Sequence, residues 1–214
     1  MIFDQQAAVK TAKYLLQINA IKLSPENPFV WASGWKSPIY CDNRITLSYP
    51  VIRNYISDQL TLQIKSIYQD EKIIIAGVAT GAIGIGMLVA QKLNLPFVYV
   101  RPEQKKHGKK NQIEGYLPPN SKVVVIEDLI STGKSSLIAV EAIKNKGYDV
   151  LGMLGVFTYG FKIADDNFKK NKIKLNTLSN YDTLISEALS QNIIELDSLT
   201  KLTEWKNSPN SWRV

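Results

Sequence analysis

Two adjacent carboxylates and a short run of small polar residues form the segment best suited to chemistry. Glu127 and Asp128 follow an apolar run, and Ser131-Thr132-Gly133 stands just before a predicted helix. Backbone N–H groups at a helix N-terminus attract anions, and a glycine lets the backbone approach closely, so this loop can hold a phosphate. The two acids would repel phosphate, so they suit the vicinal hydroxyls of a ribose or a hydrated Mg²⁺.

Two other interpretations of this segment are weaker. Gly133-Lys134-Ser135 resembles the end of a nucleotide-binding P-loop, but that motif requires a glycine five residues before Gly133, where this chain has Asp128. The segment also fits an ordinary capped strand–turn–helix with solvated acids. An acid pair together with a small polar loop at the end of one strand favours the phosphate site.

A second feature is a polar loop over residues 101–115, which holds six basic side chains, including the only histidine, His107. Loops of about 14 residues are long for a compact domain and are usually functional. Three interpretations are a lid that closes over a polyanion, a solvated basic loop and a nucleic-acid patch. Aromatic residues are not interleaved with these charges, which argues against a stacking platform for single strands. The phosphate loop nearby in sequence favours the lid.

Composition limits the class of protein. The chain has 214 residues, a formal net charge of +7, 45% hydrophobic residues and 21% charged residues. These values are typical of a globular domain and exclude a disordered or low-complexity chain. The positive charge fits nucleic acid, a phosphorylated small molecule or plain solubility. The lone Cys41 excludes an internal disulfide and a cysteine-based zinc site.

Targeting signals are not evident in the sequence. Residues 1–10 lack a cationic stretch followed by an apolar core. The most apolar stretch, residues 78–90, is interrupted by glycines and is shorter than the roughly 20 residues that a membrane-spanning helix needs. We therefore expect a cytoplasmic protein without a membrane partner.

Strands and helices alternate along most of the chain, and these elements must position the segments above. Continuous apolar runs predict buried strands at residues 72–76, 96–100, 122–126, 149–158 and 173–178. Helices are predicted at residues 4–19, 48–68 (capped by Ser48), 82–93 and 134–146, with further helices around and after the last strand. This alternation indicates an α/β fold with a central, mostly parallel sheet flanked by helices, in which ligands bind at the carboxyl ends of the strands.

The first 45 or so residues fit the alternation poorly and predict a small hood. Short strands are expected at residues 29–31 and 39–42, around a turn at Gly34. We expect a single domain over residues 1–214. Its three parts are an N-terminal helix and hood over about 1–47, an α/β core over about 48–180, and C-terminal helices over 181–214.

Residues 127–136 resemble the phosphoribosyl-pyrophosphate (PRPP) motif of type I phosphoribosyltransferases, which has an apolar strand, two acids and a small-residue loop with Thr-Gly. The resemblance implies the fold of that family. It also implies that Glu127 and Asp128 contact the ribose hydroxyls while the loop holds the 5′-phosphate. The residues then expected to bind PRPP are Arg101, Lys105, Lys106, His107, Glu127, Asp128, Leu129, Ile130, Ser131, Thr132, Gly133, Lys134, Ser135 and Thr80.

Two further segments resemble orotate phosphoribosyltransferases in particular. Arg101, Lys105 and His107, followed by Gly108, match the catalytic loop R-x-x-x-K-x-H-G, and residues 33–40 match the hood signature S-G-x-K-S-P-x-Y/F. The resemblance implies transfer of phosphoribosyl from PRPP to N1 of orotate, which gives orotidine 5′-phosphate and pyrophosphate in pyrimidine (UMP) biosynthesis. It makes Lys105, His107, Arg101 and Asp128 the expected catalytic residues.

The same resemblance implies a homodimer in which the loop completes the partner's active site, and no specific nucleic-acid partner. Mg²⁺ is the expected cofactor, held mainly by PRPP and water near Glu127 and Asp128, because this ion keeps most of its waters and uses substrate phosphates. A phosphoribosyltransferase for another base and a non-catalytic PRPP-binding regulator are the alternatives. The hood signature and the intact loop argue against them.

The chain departs from the family pattern in its cations. Pro102 and Ala32 stand where many members have a basic residue, and the turn at residues 77–81 has no cation. Some pyrophosphate contacts are therefore expected from backbone N–H groups, from Thr80 or from the basic loop, with Lys106 as one substitute.

A further departure concerns the acceptor. Members often use an arginine after the strand that follows the phosphate loop helix, and residues 156–159 contain none. Because a carboxylate favours a bidentate cation, Arg44 or Lys36 is expected to hold the orotate carboxylate, with Arg44 favoured. Ser131 is expected to donate to orotate, and Tyr40 to pack near its ring or within the hood core.

Overall fold

The computed structural model describes residues 2–31, 33–69, 72–102 and 111–212. Its strands are β1 (Ile21–Leu23), β2 (Phe29–Val30), β3 (Lys36–Ser37), β4 (Ile39–Cys41), β5 (Ile73–Val78), β6 (Phe97–Val100), β7 (Ile113–Glu114), β8 (Lys122–Ile130), β9 (Asp149–Thr158) and β10 (Leu175–Asn180). Its α-helices are α1 (Gln5–Gln17), α2 (Pro50–Ile67), α3 (Gly81–Leu93), α4 (Lys134–Lys144), α5 (Lys162–Lys170), α6 (Tyr181–Ser190) and α7 (Ser198–Asn207). A 3₁₀ helix spans Asn43–Ser48.

A six-stranded sheet in the order β10-β9-β8-β5-β6-β7 forms the centre of the molecule. All neighbouring strands run parallel except β7, which pairs antiparallel with β6. The predicted α/β fold with a mostly parallel sheet is therefore confirmed. In the described ranges, the helices are too short or too polar for a transmembrane segment.

Helices cover both faces of the sheet, which explains why its central strands are continuously apolar. Val124 and Ile126 of β8 pack into one core with α2 and α3, whereas Val123 and Val125 pack into a second core with α4 and α5. All four side chains are completely buried. Alternate residues of one strand thus serve opposite cores, and the polar residues at the strand's end are left for the site.

The strand β8 is longer than the sequence predicted. It continues past the two acids to Ile130, because β9 pairs with it as far as Ile130↔Thr158. Glu127 and Asp128, which the sequence placed at the end of the strand, therefore lie within it. The polar loop predicted over residues 101–115 likewise contains a short strand, since β7 pairs with Tyr99 and Val100.

The hood pairs differently from the prediction. Gly34 adopts a left-handed φ of +84° and closes a tight turn, so the returning strand is Lys36–Ser37 paired with Phe29–Val30. Residues Ile39–Cys41 pair instead with Ile21–Leu23, which the sequence did not single out. The helix α2 has Tyr49 at its N-cap and Pro50 in its first turn, while the predicted cap, Ser48, ends the 3₁₀ helix.

Candidate active site

A polar cavity of about 290 Å³ opens at the carboxyl ends of β5 and β8. Parallel strands that diverge at this edge leave a crevice in which ligands of such sheets bind. The polar cavity is lined by Val78, Ala79, Thr80, Gly81, Pro102, Glu127, Asp128, Leu129, Ser131, Thr132, Gly133 and Ser135. It brings together the acid pair, the small polar loop and the turn after β5.

The loop at residues 131–133 is held from behind by helix α5. Asn167 Nδ2 donates to the Thr132 carbonyl at 3.0 Å. Gly133 has a φ of +75°, and a Cβ at this position would lie 2.7 Å from the Phe168 ring. Helix α4 begins at the next residue without a side-chain cap, so the N–H groups of its first turn remain available to an anion. The loop has the backbone and hydroxyl donors that a phosphate requires.

Glu127 is turned inward and is braced by its neighbours. The carboxylate is only 4% exposed; its Oε2 accepts from Ser136 Oγ at 2.7 Å and its Oε1 from the Asp128 N–H at 3.1 Å. Burial, followed by the adjacent Asp128 charge, raises the pKa of Glu127 well above its usual range. The contact with Ser136 was not expected from the sequence, because the nine-residue spacing from Glu127 to Ser136 does not by itself indicate a hydrogen bond.

Asp128 is the more open of the two acids, and it packs against the first turn of α3. An added Cβ at Gly81 would lie 2.6 Å from Asp128 Oδ1 and closer still to Oδ2. Only a glycine leaves room for the carboxylate at this position. The helix dipole favours a negative charge there. The turn that precedes α3 contains a cis peptide bond between Ala79 and Thr80.

A second, aromatic cavity of about 410 Å³ adjoins the polar cavity. The two share Leu129 and Ser131, and the remaining lining residues are Val30, Trp31, Tyr40, Cys41 and Tyr159. This wall is stiff, because Trp31 Nε1 donates to the Ile39 carbonyl at 3.1 Å and its ring packs 5.2 Å from that of Tyr159. The aromatic walls of this cavity suit the faces of a planar ring.

Two polar groups of the aromatic cavity are kept neutral. Burial raises the pKa of the Tyr159 phenol well above its usual value. Burial and then the charges of Asp128 and Asp42 raise the pKa of the Cys41 thiol in the same way. Both groups therefore remain protonated hydrogen-bond donors near neutral pH. The Cys41 thiol donates to Asn43 Oδ1 at 3.3 Å.

The structure brings most of the described candidates together. Thr80, Glu127, Asp128, Leu129, Ser131, Thr132, Gly133 and Ser135 line the polar cavity, and Tyr40 and Ser131 line the aromatic cavity. Lys105, Lys106 and His107 lie outside the described residues. Arg101 precedes Pro102, which lines the polar cavity. Its Nη1 lies 3.6 Å from Glu114 Oε1.

Four further candidates, like Arg101, lie outside both linings. Arg44 forms an ion pair with Asp42 at 2.7 Å, and its side chain is 60% exposed. Lys36 is exposed on β3, and Lys134 is exposed on the first turn of α4. The Ile130 side chain is fully buried in the second core, so any contact with a ligand must come from its backbone.

Trp31, Cys41 and Tyr159 are site residues that the sequence did not assign to the site. Tyr159 had a usable signal, because it lies just past the carboxyl end of β9, beside the end of β8. Trp31 and Cys41 had none, because their position depends on how the hood folds over the sheet.

The donor set of the polar cavity fits Mg²⁺ held largely by a substrate. In the described part of the chain, no group of three or more histidine, cysteine or carboxylate side chains forms a metal centre. Asp128 still offers one open carboxylate, while Glu127 is engaged by Ser136. One carboxylate together with substrate phosphates is an arrangement that Mg²⁺ commonly adopts.

This fold, with an acid pair and a small polar loop at the carboxyl edge of the sheet, is the arrangement expected of a phosphoribosyltransferase. In agreement, the family model described as "Phosphoribosyl transferase domain" matches residues 54–180.

Comparison with individual proteins shows which phosphoribosyltransferases this chain resembles. The chain is 57% identical over 203 residues to an orotate phosphoribosyltransferase of Porphyromonas gingivalis, covering 95% of this chain and 96% of the relative. It is 54% identical over 204 residues to the orotate phosphoribosyltransferase of Cytophaga hutchinsonii, covering 95% and 97%. The crystal structure of orotate phosphoribosyltransferase from Aeropyrum pernix matches with a TM-score of 0.72 and 30% identity, over 82% of this chain and 96% of that one. The chain belongs to the orotate phosphoribosyltransferase family.

Proposed function

We propose that the two adjoining cavities hold the two substrates of the orotate phosphoribosyltransferase reaction, with PRPP in the polar cavity and orotate in the aromatic cavity. The enzyme transfers the phosphoribosyl group of PRPP to N1 of orotate, a step of pyrimidine (UMP) biosynthesis. The observation that carries this assignment is the shared wall of Leu129 and Ser131. This shared wall supports the assignment, because the reaction requires the planar ring to lie beside the ribose phosphate.

The polar cavity binds and orients PRPP. The N–H groups and hydroxyls of residues 131–135 hold the 5′-phosphate at the start of α4. Asp128 accepts hydrogen bonds from the ribose hydroxyls, and the buried Glu127, held by Ser136, supports it from behind. As the bond from ribose C1 to pyrophosphate lengthens, positive charge develops on the sugar, and the neighbouring Asp128 carboxylate favours that charge. Catalysis is positioning and electrostatics, without a covalent enzyme intermediate.

Departing pyrophosphate is stabilised by cations. We assign this role to Arg101, Lys105, Lys106 and His107 of the basic loop, together with backbone N–H groups of the turn containing Thr80. Asp128, the open carboxylate of the polar cavity, would help PRPP to hold Mg²⁺, which would further neutralise the phosphate charges.

Orotate enters the aromatic cavity with its ring against Trp31, Tyr40 and Tyr159, and Ser131 donates to it from the shared wall. We assign its carboxylate to a hood cation, Arg44 first and Lys36 second. Arg44 then exchanges its Asp42 partner for the substrate carboxylate. The Arg44→Ala substitution tests this role, because it should raise the KM for orotate and leave that for PRPP unchanged; an unchanged orotate KM excludes Arg44.

We further propose a homodimer in which the basic loop of one subunit completes the partner's active site. Mixing Lys105→Ala with the double variant Glu127→Gln/Asp128→Asn, each expected to be inactive, tests it. With random exchange, half of the dimers are mixed and each has one intact site, so about a quarter of wild-type activity should return. No recovery after confirmed subunit exchange contradicts the shared site. The cytoplasmic location stays a prediction of the sequence.

A panel of acceptors tests the assignment of the base. Loss of orotate absorbance is followed after mixing with PRPP and Mg²⁺, and adenine, hypoxanthine and uracil are offered in parallel. Turnover with orotate alone is expected, because the carboxylate distinguishes it from the other bases. Turnover with a purine but not with orotate would reassign the acceptor and leave the fold and the PRPP site in place.

A further inference from the structure

We propose that Asn43 is a positioning residue that fixes the position of the aromatic cavity relative to Asp128 of the polar cavity. Its side chain lies between the two. Asn43 Nδ2 donates to the backbone carbonyl of Asp128 at 2.6 Å, and Asn43 Oδ1 accepts from Cys41 Sγ at 3.3 Å. Cys41 lines the aromatic cavity and Asp128 the polar cavity. The inference deepens the proposed function, because it rests on that placement of the two substrates.

The Asp128 carbonyl needs a partner that the sheet does not supply. Strand β5 pairs with β8 only as far as Gly77↔Ile126, two residues before Asp128. Beyond this point β5 pairs only with β6, as far as Val78↔Val100. The Asn43 amide supplies a hydrogen bond to this partly buried carbonyl, where β5 no longer pairs with β8.

Contacts within the hood and with α3 fix the position of Asn43. Asn43 is 3% exposed, and its own carbonyl accepts from the buried Thr46 hydroxyl at 2.6 Å. The 3₁₀ helix that begins at Asn43 also packs closely on α3, since a Cβ at Gly84 would lie 2.8 Å from Leu47 Cδ2. The segment is thus seated on the helix that also contacts the Asp128 carboxylate.

The chemistry of both contacts requires an amide. The Asp128 carbonyl can only accept, and the protonated Cys41 thiol donates, so the residue between them must donate on one side and accept on the other. An aspartate at position 43 keeps the shape and the acceptor but loses the donor. A hydrophobic residue loses both. The hydrogen bond joins residues 85 positions apart, and it directly connects the hood with the acid pair.

The test is the steady-state kinetics of Asn43→Ala and of the nearly isosteric Asn43→Asp. Both cavities remain, but their alignment is relaxed, and misplacement of reactants by about 1 Å can cost about 100-fold in rate. We expect kcat to fall roughly 10- to 100-fold, with the KM values for orotate and PRPP each within about threefold of the wild type. The matched control is Ser179→Ala, which removes a buried hydrogen bond far from both cavities in sequence, from Ser179 Oγ to the Ala8 carbonyl at 2.9 Å.

Ser179→Ala should lower the melting temperature and leave kcat unchanged, which separates positioning from stability. The proposal is overturned if the Asn43 variants melt lower but keep the wild-type kcat, or if the loss is confined to one KM. Should Asn43→Ala fail to fold, Asn43→Asp decides, because Cys41 can still donate to its carboxylate. If the wild-type protein does not turn over orotate, the proposed function itself fails. If it does and the variants match it, only the role of Asn43 is refuted.

Discussion

The close approach of Gly81 to Asp128 gives a sharp test of the polar cavity. A Cβ at position 81 would lie 2.6 Å from Asp128 Oδ1 and closer to Oδ2, whereas non-bonded carbon contacts begin near about 3.5 Å. Gly81→Ala must therefore move the carboxylate by roughly 1 Å, and this is the group assigned to the ribose hydroxyls. A displacement of that size is expected to lower kcat/KM for PRPP by about 100-fold.

Stability should respond differently from activity. Gly81 is the first residue of α3, and alanine is favoured over glycine in helices by up to about 1 kcal/mol, which offsets part of the cost of moving the carboxylate. The matched control is Gly84→Ala in the same helix, because its new Cβ meets only the flexible end of Leu47. Initial rates from orotate absorbance, with PRPP varied, are compared for the two variants beside thermal melts.

Gly84→Ala is expected to keep kcat/KM for PRPP within about threefold of the wild type. The reasoning is refuted if Gly81→Ala also keeps the wild-type value. It is weakened in the same way if both alanine variants lose activity to the same extent, since the loss would then follow from alanine in α3 and not from the Asp128 carboxylate.

Two further outcomes follow from the charges of the site. Because burial raises the pKa of Glu127, the folded state binds this proton more tightly than the unfolded chain, and stability falls as the pH rises through the raised pKa. Glu127→Gln should therefore raise the melting temperature of the ligand-free protein more at about pH 8 than at about pH 5. An equal change at both pH values contradicts a buried, perturbed carboxyl. Lys105→Ala should lower kcat by about 100-fold or more with a normal melting temperature, measured by orotate turnover, if the basic loop stabilises pyrophosphate; full activity in this variant removes the loop from the mechanism.

The polar cavity was largely predictable because its parts are consecutive in the chain. Glu127, Asp128 and residues 131–133 come from one strand, one loop and one helix start, so the local pattern carries the chemistry. Their placement beside Thr80 follows from the parallel order of β5 and β8. The inward orientation of Glu127 toward Ser136 was not predictable, because it depends on packing.

The aromatic cavity was only partly predictable, for a physical reason. Tyr40 was a candidate, but Trp31 and Tyr159 join it from segments more than a hundred residues apart. Short hood strands carry weak local signals, and a shift in their pairing decides which side chains face the sheet. The bond from Asn43 to Asp128 depends on the same tertiary arrangement.

The central claim, that the two adjoining cavities hold different substrates, is tested most directly by the KM values of Asp128→Asn and Tyr159→Phe. We assign the Tyr159 hydroxyl, which burial keeps protonated, as a donor to orotate. Its removal should therefore raise the orotate KM about 10-fold and leave the PRPP KM unchanged. Asp128→Asn should raise the PRPP KM by a similar factor of about 10 and leave the orotate KM unchanged. The assignment of the cavities would be contradicted if both substitutions raised the same KM. It would also be contradicted if Tyr159→Phe raised the PRPP KM and Asp128→Asn the orotate KM.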